Sequence, residues 1–229
     1  MPTAVVTGAN SGIGHAFAKI LLAEDFDVYA CDVNVGENMK QLKAKTFQLD
    51  VSSPDSIKKF KGNFEDDQAI DLILNVAGIM SGHEEDSLEN IDLAKLQKVF
   101  GVNTFGPLLL TQALLPNLLL SENPRLGTVS SRVGSIADNT TGGIYAYRSS
   151  KAAVNSIFRS MAMDLKPKGV VVVLLHPGYV KTGLDPSTHG LAEAVEPDEA
   201  AEKLIKVLMV KSLNETGRFW HREGQELPW

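Results

Sequence analysis

The chain has 229 residues, a formal net charge of −6 and one cysteine. That length suits one α/β domain with a buried sheet and is too short for a separate substrate domain of ordinary size. The acidic balance argues against a nucleic-acid partner or an anionic membrane surface, and the lone Cys31 excludes an internal disulfide and a multi-cysteine metal site.

Met1-Pro2 runs straight into the first apolar run, without the basic and apolar regions of a signal peptide, so a cytoplasmic protein is expected. Residues 4–7, 28–32, 46–49, 72–76, 128–130, 170–175 and 218–220 read as strands, and helical patterns fill the intervals. This alternation predicts a doubly wound, mostly parallel seven-stranded sheet with helices on both faces and ligands at the carboxyl ends of the strands. After the first strand, Thr7-Gly8-Ala9-Asn10-Ser11-Gly12-Ile13-Gly14 leads into the helical pattern Ile13, Phe17, Ile20, Leu21. Such a corner aims free helix N–H groups at a phosphate. Asp32 ends the second strand, where a carboxylate can accept from ribose hydroxyls.

Further along, His83-Glu84-Glu85-Asp86 reads as a solvated loop rather than a metal site. The apolar stretch 105–120 is interrupted by Pro107, Thr111, Gln112, Pro116 and Asn117, and reads as a helix packed on the sheet or on another subunit rather than a membrane span. Asn103 lies in a helical pattern, where asparagine is unfavourable without a specific purpose. Residues 137–143, rich in Asn, Thr and Gly, form a loop before a helix carrying Tyr147 and Lys151 one turn apart. Four-residue spacing brings the Lys151 ammonium close to the Tyr147 phenol, where it favours the anion. Tyr145 projects from another side of that helix and reads as packing or substrate contact.

Thr7-Gly8 through Gly14, Asp50-Val51, Asn75-Val76-Ala77-Gly78, Asn103, Ser131, Tyr147 with Lys151, and Pro177-Gly178 with Thr182 together resemble the short-chain dehydrogenase/reductase family in its classical single-domain form. The match covers nearly the whole chain. The runs Ser130-Ser131-Arg132-Val133-Gly134-Ser135-Ile136 and His176-Pro177-Gly178-Tyr179-Val180-Lys181-Thr182 look most like its C-factor or carbonyl-reductase-like branch.

The resemblance implies a single Rossmann domain over residues 1–229 that moves a hydride between NAD(P) and a small-molecule carbonyl or secondary alcohol. Tyr147 is then the proton donor or acceptor, Lys151 its electrostatic partner, and Ser131 the hydrogen-bond donor to the substrate oxygen, with Ser130 and Ser135 as alternatives. Asn103 completes a tetrad by holding a relay water. The cofactor is expected on Gly8, Asn10, Ser11, Gly12, Ile13, Gly14, Asp32, Asp50, Val51, Asn75, Ala77, Gly78, Tyr147, Lys151, Pro177, Gly178, Val180 and Thr182. Asp32 favours NAD over NADP. Val76 departs from the family's second asparagine. Residues 183–196 are expected to form a short substrate lid, and the apolar helices near 103–120 and 151–165 to join a homodimer or higher homo-oligomer. A catalytically silent dinucleotide-binding sensor on the same fold is the alternative; such a protein should have lost the Tyr147/Lys151 pair.

Overall fold

In the computed structural model, which describes Met1–Trp229, the apolar runs form one seven-stranded sheet in the order β3-β2-β1-β4-β5-β6-β7. The strands are β1 (Thr3–Thr7), β2 (Asp27–Asp32), β3 (Lys45–Gln48), β4 (Leu72–Asn75), β5 (Arg125–Val129), β6 (Val171–His176) and β7 (Arg218–His221), and every neighbouring pair is parallel. Alternate strand residues serve opposite faces. Ala4 and Val6 pack under α1 (Gly12–Ala23) and α7 (Pro197–Val210), while Val5 and Ile73 meet α5 (Gly106–Leu118) and α6 (Tyr145–Leu165). Two short helices, α2 (Glu37–Lys40) and α3 (Pro54–Lys61), follow β2 and β3, and α4 (Leu93–Phe100) precedes α5. The strand order reverses between β1 and β4, and their carboxyl ends open the crevice that such sheets use for ligands.

Three local expectations need correction. The fifth strand begins at Arg125 and ends at Val129, earlier than 128–130, because Arg125 and Gly127 interrupt its apolar signal. Gly127 is there for close packing: a Cβ on it would sit 2.6 Å from Leu74. β4 stops at Asn75, since the next two N–H groups turn toward the Thr7 hydroxyl, Val76 at 2.9 Å and Ala77 at 3.0 Å. Asp86 is fully buried, although Glu84 and Glu85 beside it are exposed.

The apolar stretch after β4 is longer than residues 105–120. With α4 included, Leu93–Leu118 has the length and composition to cross a membrane, yet Leu110, Leu114 and Leu118 are fully buried in the core beneath the sheet. A wide π-helical turn, Gly101–Phe105, joins α4 to α5 and carries Asn103 inward.

Candidate active site

The glycine-rich corner is built by backbone conformations that side chains would prevent. Gly8 and Gly12 have φ of 70° and 54°, in the left-handed region. At Gly14 a Cβ would lie 2.2 Å from the Gly8 carbonyl oxygen, so α1 could not press against the turn. Ser11 stands at the N-cap of α1 in an extended conformation without a side-chain capping bond. The first-turn N–H groups are thus left for an anion. Ile13 packs partly buried against the upper core. Asn10 ties the corner to β2: its N–H donates to Asp32 Oδ2 at 3.1 Å, and its Oδ1 accepts from Gly36 N–H at 3.1 Å. The other Asp32 oxygen accepts from Asn34 N–H at 3.0 Å, which fixes the carboxylate at the rim of the crevice.

At the opposite end, α6 brings Tyr147 and Lys151 under the carboxyl ends of β4 and β5. Both are buried. The Lys151 Nζ lies 5.7 Å from the Tyr147 ring centre and donates to the Val129 carbonyl at 2.9 Å. Burial pushes the Tyr147 phenol up to about 12, against the pull of a hydrogen bond with Ser131 and with a smaller push from the Asp185 carboxylate. Burial also draws the Lys151 ammonium down to about 8. In this state desolvation, rather than the lysine charge, dominates the tyrosine.

Of the three candidate serines, Ser131 is the one that acts on the Tyr147 phenol, drawing its pKa down against burial, and its Oγ accepts from Val133 N–H at 3.4 Å. The Ser130 hydroxyl is buried without a partner, and Ser135 Oγ accepts from Asp138 N–H at 3.1 Å. The short turn Arg132–Gly134 sits directly on α6, where a Cβ on Gly134 would come within 2.7 Å of the Lys151 backbone. Asn103 closes the far side. Its Oδ1 accepts from Ile79 N–H at 2.8 Å, and its Nδ2 donates to Ile79 O at 2.9 Å and Ser150 Oγ at 3.1 Å. Gly78 separates Asn103 from Lys151: a Cβ there would lie 3.4 Å from Asn103 Oδ1 and 3.6 Å from Lys151 Nζ.

The short chain dehydrogenase family model matches residues 2–190. The chain belongs to this family. It is 37% identical over 231 residues to 1-hydroxy-2-glutathionyl-2-methyl-3-butene dehydrogenase of Rhodococcus sp. (strain AD45), with both chains covered completely. It is 41% identical over 161 residues to the C-signal protein of Myxococcus xanthus, covering 70% of this chain and 93% of that one. The NADPH-bound carbonyl reductase from chicken fatty liver superimposes with a TM-score of 0.90 at 31% identity, covering 100% and 99% of the two chains. The chain is an oxidoreductase of this family, and a nicotinamide dinucleotide is its class of cofactor.

The remaining residues expected on the cofactor lie in three stretches, after β3, β4 and β6. Ala77 and Gly78 border the crevice beside Gly8, whose Cβ would stand 3.1 Å from Ala77. Asp50 anchors the turn after β3 by accepting from Ser52 N–H at 2.9 Å, and Val51 is buried next to it. Pro177, Gly178, Val180 and Thr182 follow β6, with Gly178 at a φ of 70°. A Cβ on Gly12 would come 3.1 Å from Thr182, so this loop reaches the glycine corner. Asn75 has a buried side chain whose amide donates to Thr111 Oγ1 on α5 at 3.3 Å.

Three residues that organise this family site were missed from sequence. Thr7 takes both N–H groups of the turn after β4, those of Val76 and Ala77. Arg222, at the end of β7, is buried; its Nη1 donates to the carbonyls of Pro177 at 2.5 Å and Tyr179 at 3.1 Å, and its Nη2 to Glu193 at 3.2 Å. It therefore ties the loop after β6 to the end of segment 183–196. The third is Asp86. A distant arginine or aspartate carries no spacing signal, although a threonine that begins the glycine motif could have been flagged.

Proposed function

We propose that the chain catalyses reversible carbonyl reduction with Tyr147 as the proton donor. The observation that carries this reading is the buried Tyr147 phenol with the Lys151 ammonium 5.7 Å from the centre of the same ring, one helical turn away on α6. A nicotinamide dinucleotide held on the α1 corner supplies or accepts the hydride. Ser131 donates to the substrate oxygen and so preorganises the charge that develops there. Tyr147, with its proton held up to about 12, gives that oxygen its proton in reduction. In the oxidative direction the same residue accepts the proton, which requires the Lys151 ammonium and neighbouring positive charge to offset burial. Asn103 fixes the Ile79 backbone beside Gly78 and Lys151 and so frames the cofactor's ribose end.

The test is Tyr147→Phe. It should leave cofactor affinity within about twofold and lower kcat by at least about a hundredfold, the usual worth of a positioned acid. Near-normal turnover in that variant, with loss in Tyr145→Phe, would reassign the proton donor.

We further propose NAD as the preferred cofactor. Asp32 presents a fixed carboxylate at the end of β2, and the nearby Lys40 is paired with Glu37 at 2.7 Å rather than offered to a 2′-phosphate. Parallel steady-state kinetics with NADH and NADPH decides this, and a tenfold preference for NADPH, the cofactor of the chicken enzyme, would overturn it. Segment 183–196 is the substrate lid: the Val180↔Val195 bridge closes its base, and His83 meets its Asp185 at 3.3 Å. Ile136, Tyr179 and Leu184, exposed on the loops after β5 and β6, and Tyr145, exposed at the start of α6, suit a carbonyl compound with an apolar body. The Rhodococcus relative is named for an alcohol. A cytoplasmic homodimer joined through α5 and α6 completes the reading, since Phe105 and Met163 lie exposed on that side.

A further inference from the structure

The first turn of α6 begins at an awkward place. Ile144, at its N-cap, has a φ of 43° and no side-chain capping bond, and the two glycines before it also have positive φ. The helix therefore cannot satisfy its own leading N–H groups locally. They are met from some sixty residues away. Asp86 Oδ1 accepts from Ala146 N–H at 2.7 Å, Oδ2 from Tyr147 N–H at 3.1 Å, and the Asp86 carbonyl from Tyr145 N–H at 3.3 Å. Its side chain has no exposed surface, and it sits where the helix end is most positive.

We infer that Asp86 is a positioning residue for Tyr147: a buried carboxylate from the loop after β4 caps the helix that carries the proposed proton donor and holds that residue's own backbone. This rests on the reading of Tyr147 given above. The consequence follows from geometry. Ser150 Oγ donates to the Tyr147 carbonyl at 2.7 Å, and Asn103 holds Ser150, so Tyr147 is gripped at its N–H by Asp86 and at its carbonyl by the Asn103 chain. The phenol must meet Ser131 and a substrate oxygen at hydrogen-bond distance, and displacement of a reacting group by about 1 Å can cost about a hundredfold in rate. Freeing the N–H grip lets the first turn fray and the phenol wander. It leaves the glycine corner, across the sheet, untouched.

The same loop carries His83 to Asp185, so one segment fastens both the segment 183–196 and the catalytic helix. Asp86 is thus the deeper of two anchors made by residues 82–90.

The experiment compares Asp86→Asn, which keeps the shape and one acceptor, with Asp86→Ala and Tyr147→Phe. For Asp86→Asn we expect kcat to fall about tenfold to a hundredfold while NADH affinity, read by fluorescence titration, stays within about twofold. Asp86→Ala should fall further. Wild-type kcat in folded Asp86→Asn overturns the inference, as does a parallel loss of cofactor affinity and kcat, which would mark a general role in folding. If Tyr147→Phe keeps its turnover, the assignment of the proton donor fails instead, a distinguishable result. Amide exchange on the unaltered protein gives an arm that needs no variant. The Ala146 and Tyr147 amides should be protected as strongly as those in the middle of α6, and exchange at the rate of the 137–143 loop would refute the cap.

Discussion

Replacing Lys151 by methionine should make the protein more stable and destroy its activity. The ammonium is buried, and burial draws it from the ordinary lysine value of 10.5 down to about 8. At about 1.4 kcal/mol per pKa unit, the folded state therefore bears about 3 kcal/mol for keeping this charge below pH 8. Methionine has a similar length, carries no charge and adapts to irregular space. It forfeits the bond to the Val129 carbonyl, a charge-assisted contact contributing about 1.5–2 kcal/mol. The difference leaves a gain of about 1 kcal/mol at pH 7, or about 2–4 °C in Tm for a chain of this size. The sign with pH is fixed. Because the folded pKa is depressed, the unfolded chain binds more protons between about 8 and 10.5, so the lysine's cost fades across that window and the advantage of Lys151→Met fades with it. Urea unfolding at pH 7 and pH 10, alongside a hydride-transfer assay at the reduced nicotinamide band, measures both halves. A variant destabilised by more than about 1 kcal/mol at pH 7, where the charge is fully present, would refute the reasoning.

Arg222→Lys should weaken NADH binding about tenfold and lower Tm by about 2–4 °C, because an ammonium cannot reach the Pro177, Tyr179 and Glu193 carbonyls together; fluorescence titration and thermal melts read the two effects. His176 is held down to about 3, first by burial and then by His221, Arg132 and Arg222, so its stabilising neutrality should be lost progressively from pH 6.5 downward. His176→Gln should flatten the stability profile between pH 6.5 and 3 in thermal melts. Light scattering should find a dimer for the unaltered chain and a monomer for Phe105→Asp, and a monomer for both would remove α5 from any subunit contact.

The parts of the fold that were legible are those where one residue type answers one local demand. The 170–175 run, apolar at every position, announces a strand covered on both faces, and it lies between β5 and β7. Gly14 was legible because a helix can press on a turn only without a Cβ, and the 2.2 Å approach at that position is the physical form of the motif. β5 was placed late because Arg125 hides at its start: the guanidinium reaches the Leu208 and Lys211 carbonyls at the end of α7, so a charged residue serves as packing. At Asn75 the motif gives its place in the chain but not the direction its amide faces, which is toward Thr111 on α5.

What escaped the sequence is the set of polar groups that act across the sheet. Asp86 stands beside two exposed glutamates, so its neighbours in sequence argue for water while its neighbours in space are the leading N–H groups of α6. Burying a carboxylate is costly unless it is hydrogen-bonded, and a helix that starts after two glycines and a left-handed Ile144 has N–H groups to give. Each defect answers the other. Tyr147 and Lys151 obey the same logic in opposite senses: burial raises one to about 12 and lowers the other to about 8, so their proton affinities are driven apart inside the fold. A phenol and an ammonium whose ordinary values of 10.0 and 10.5 lie close together become, under one sheet edge, a proton held for delivery and a cation held at a cost. The stability surrendered at Lys151 is the counterpart of the chemistry proposed at Tyr147, and the four-residue spacing alone could state their proximity but not that exchange.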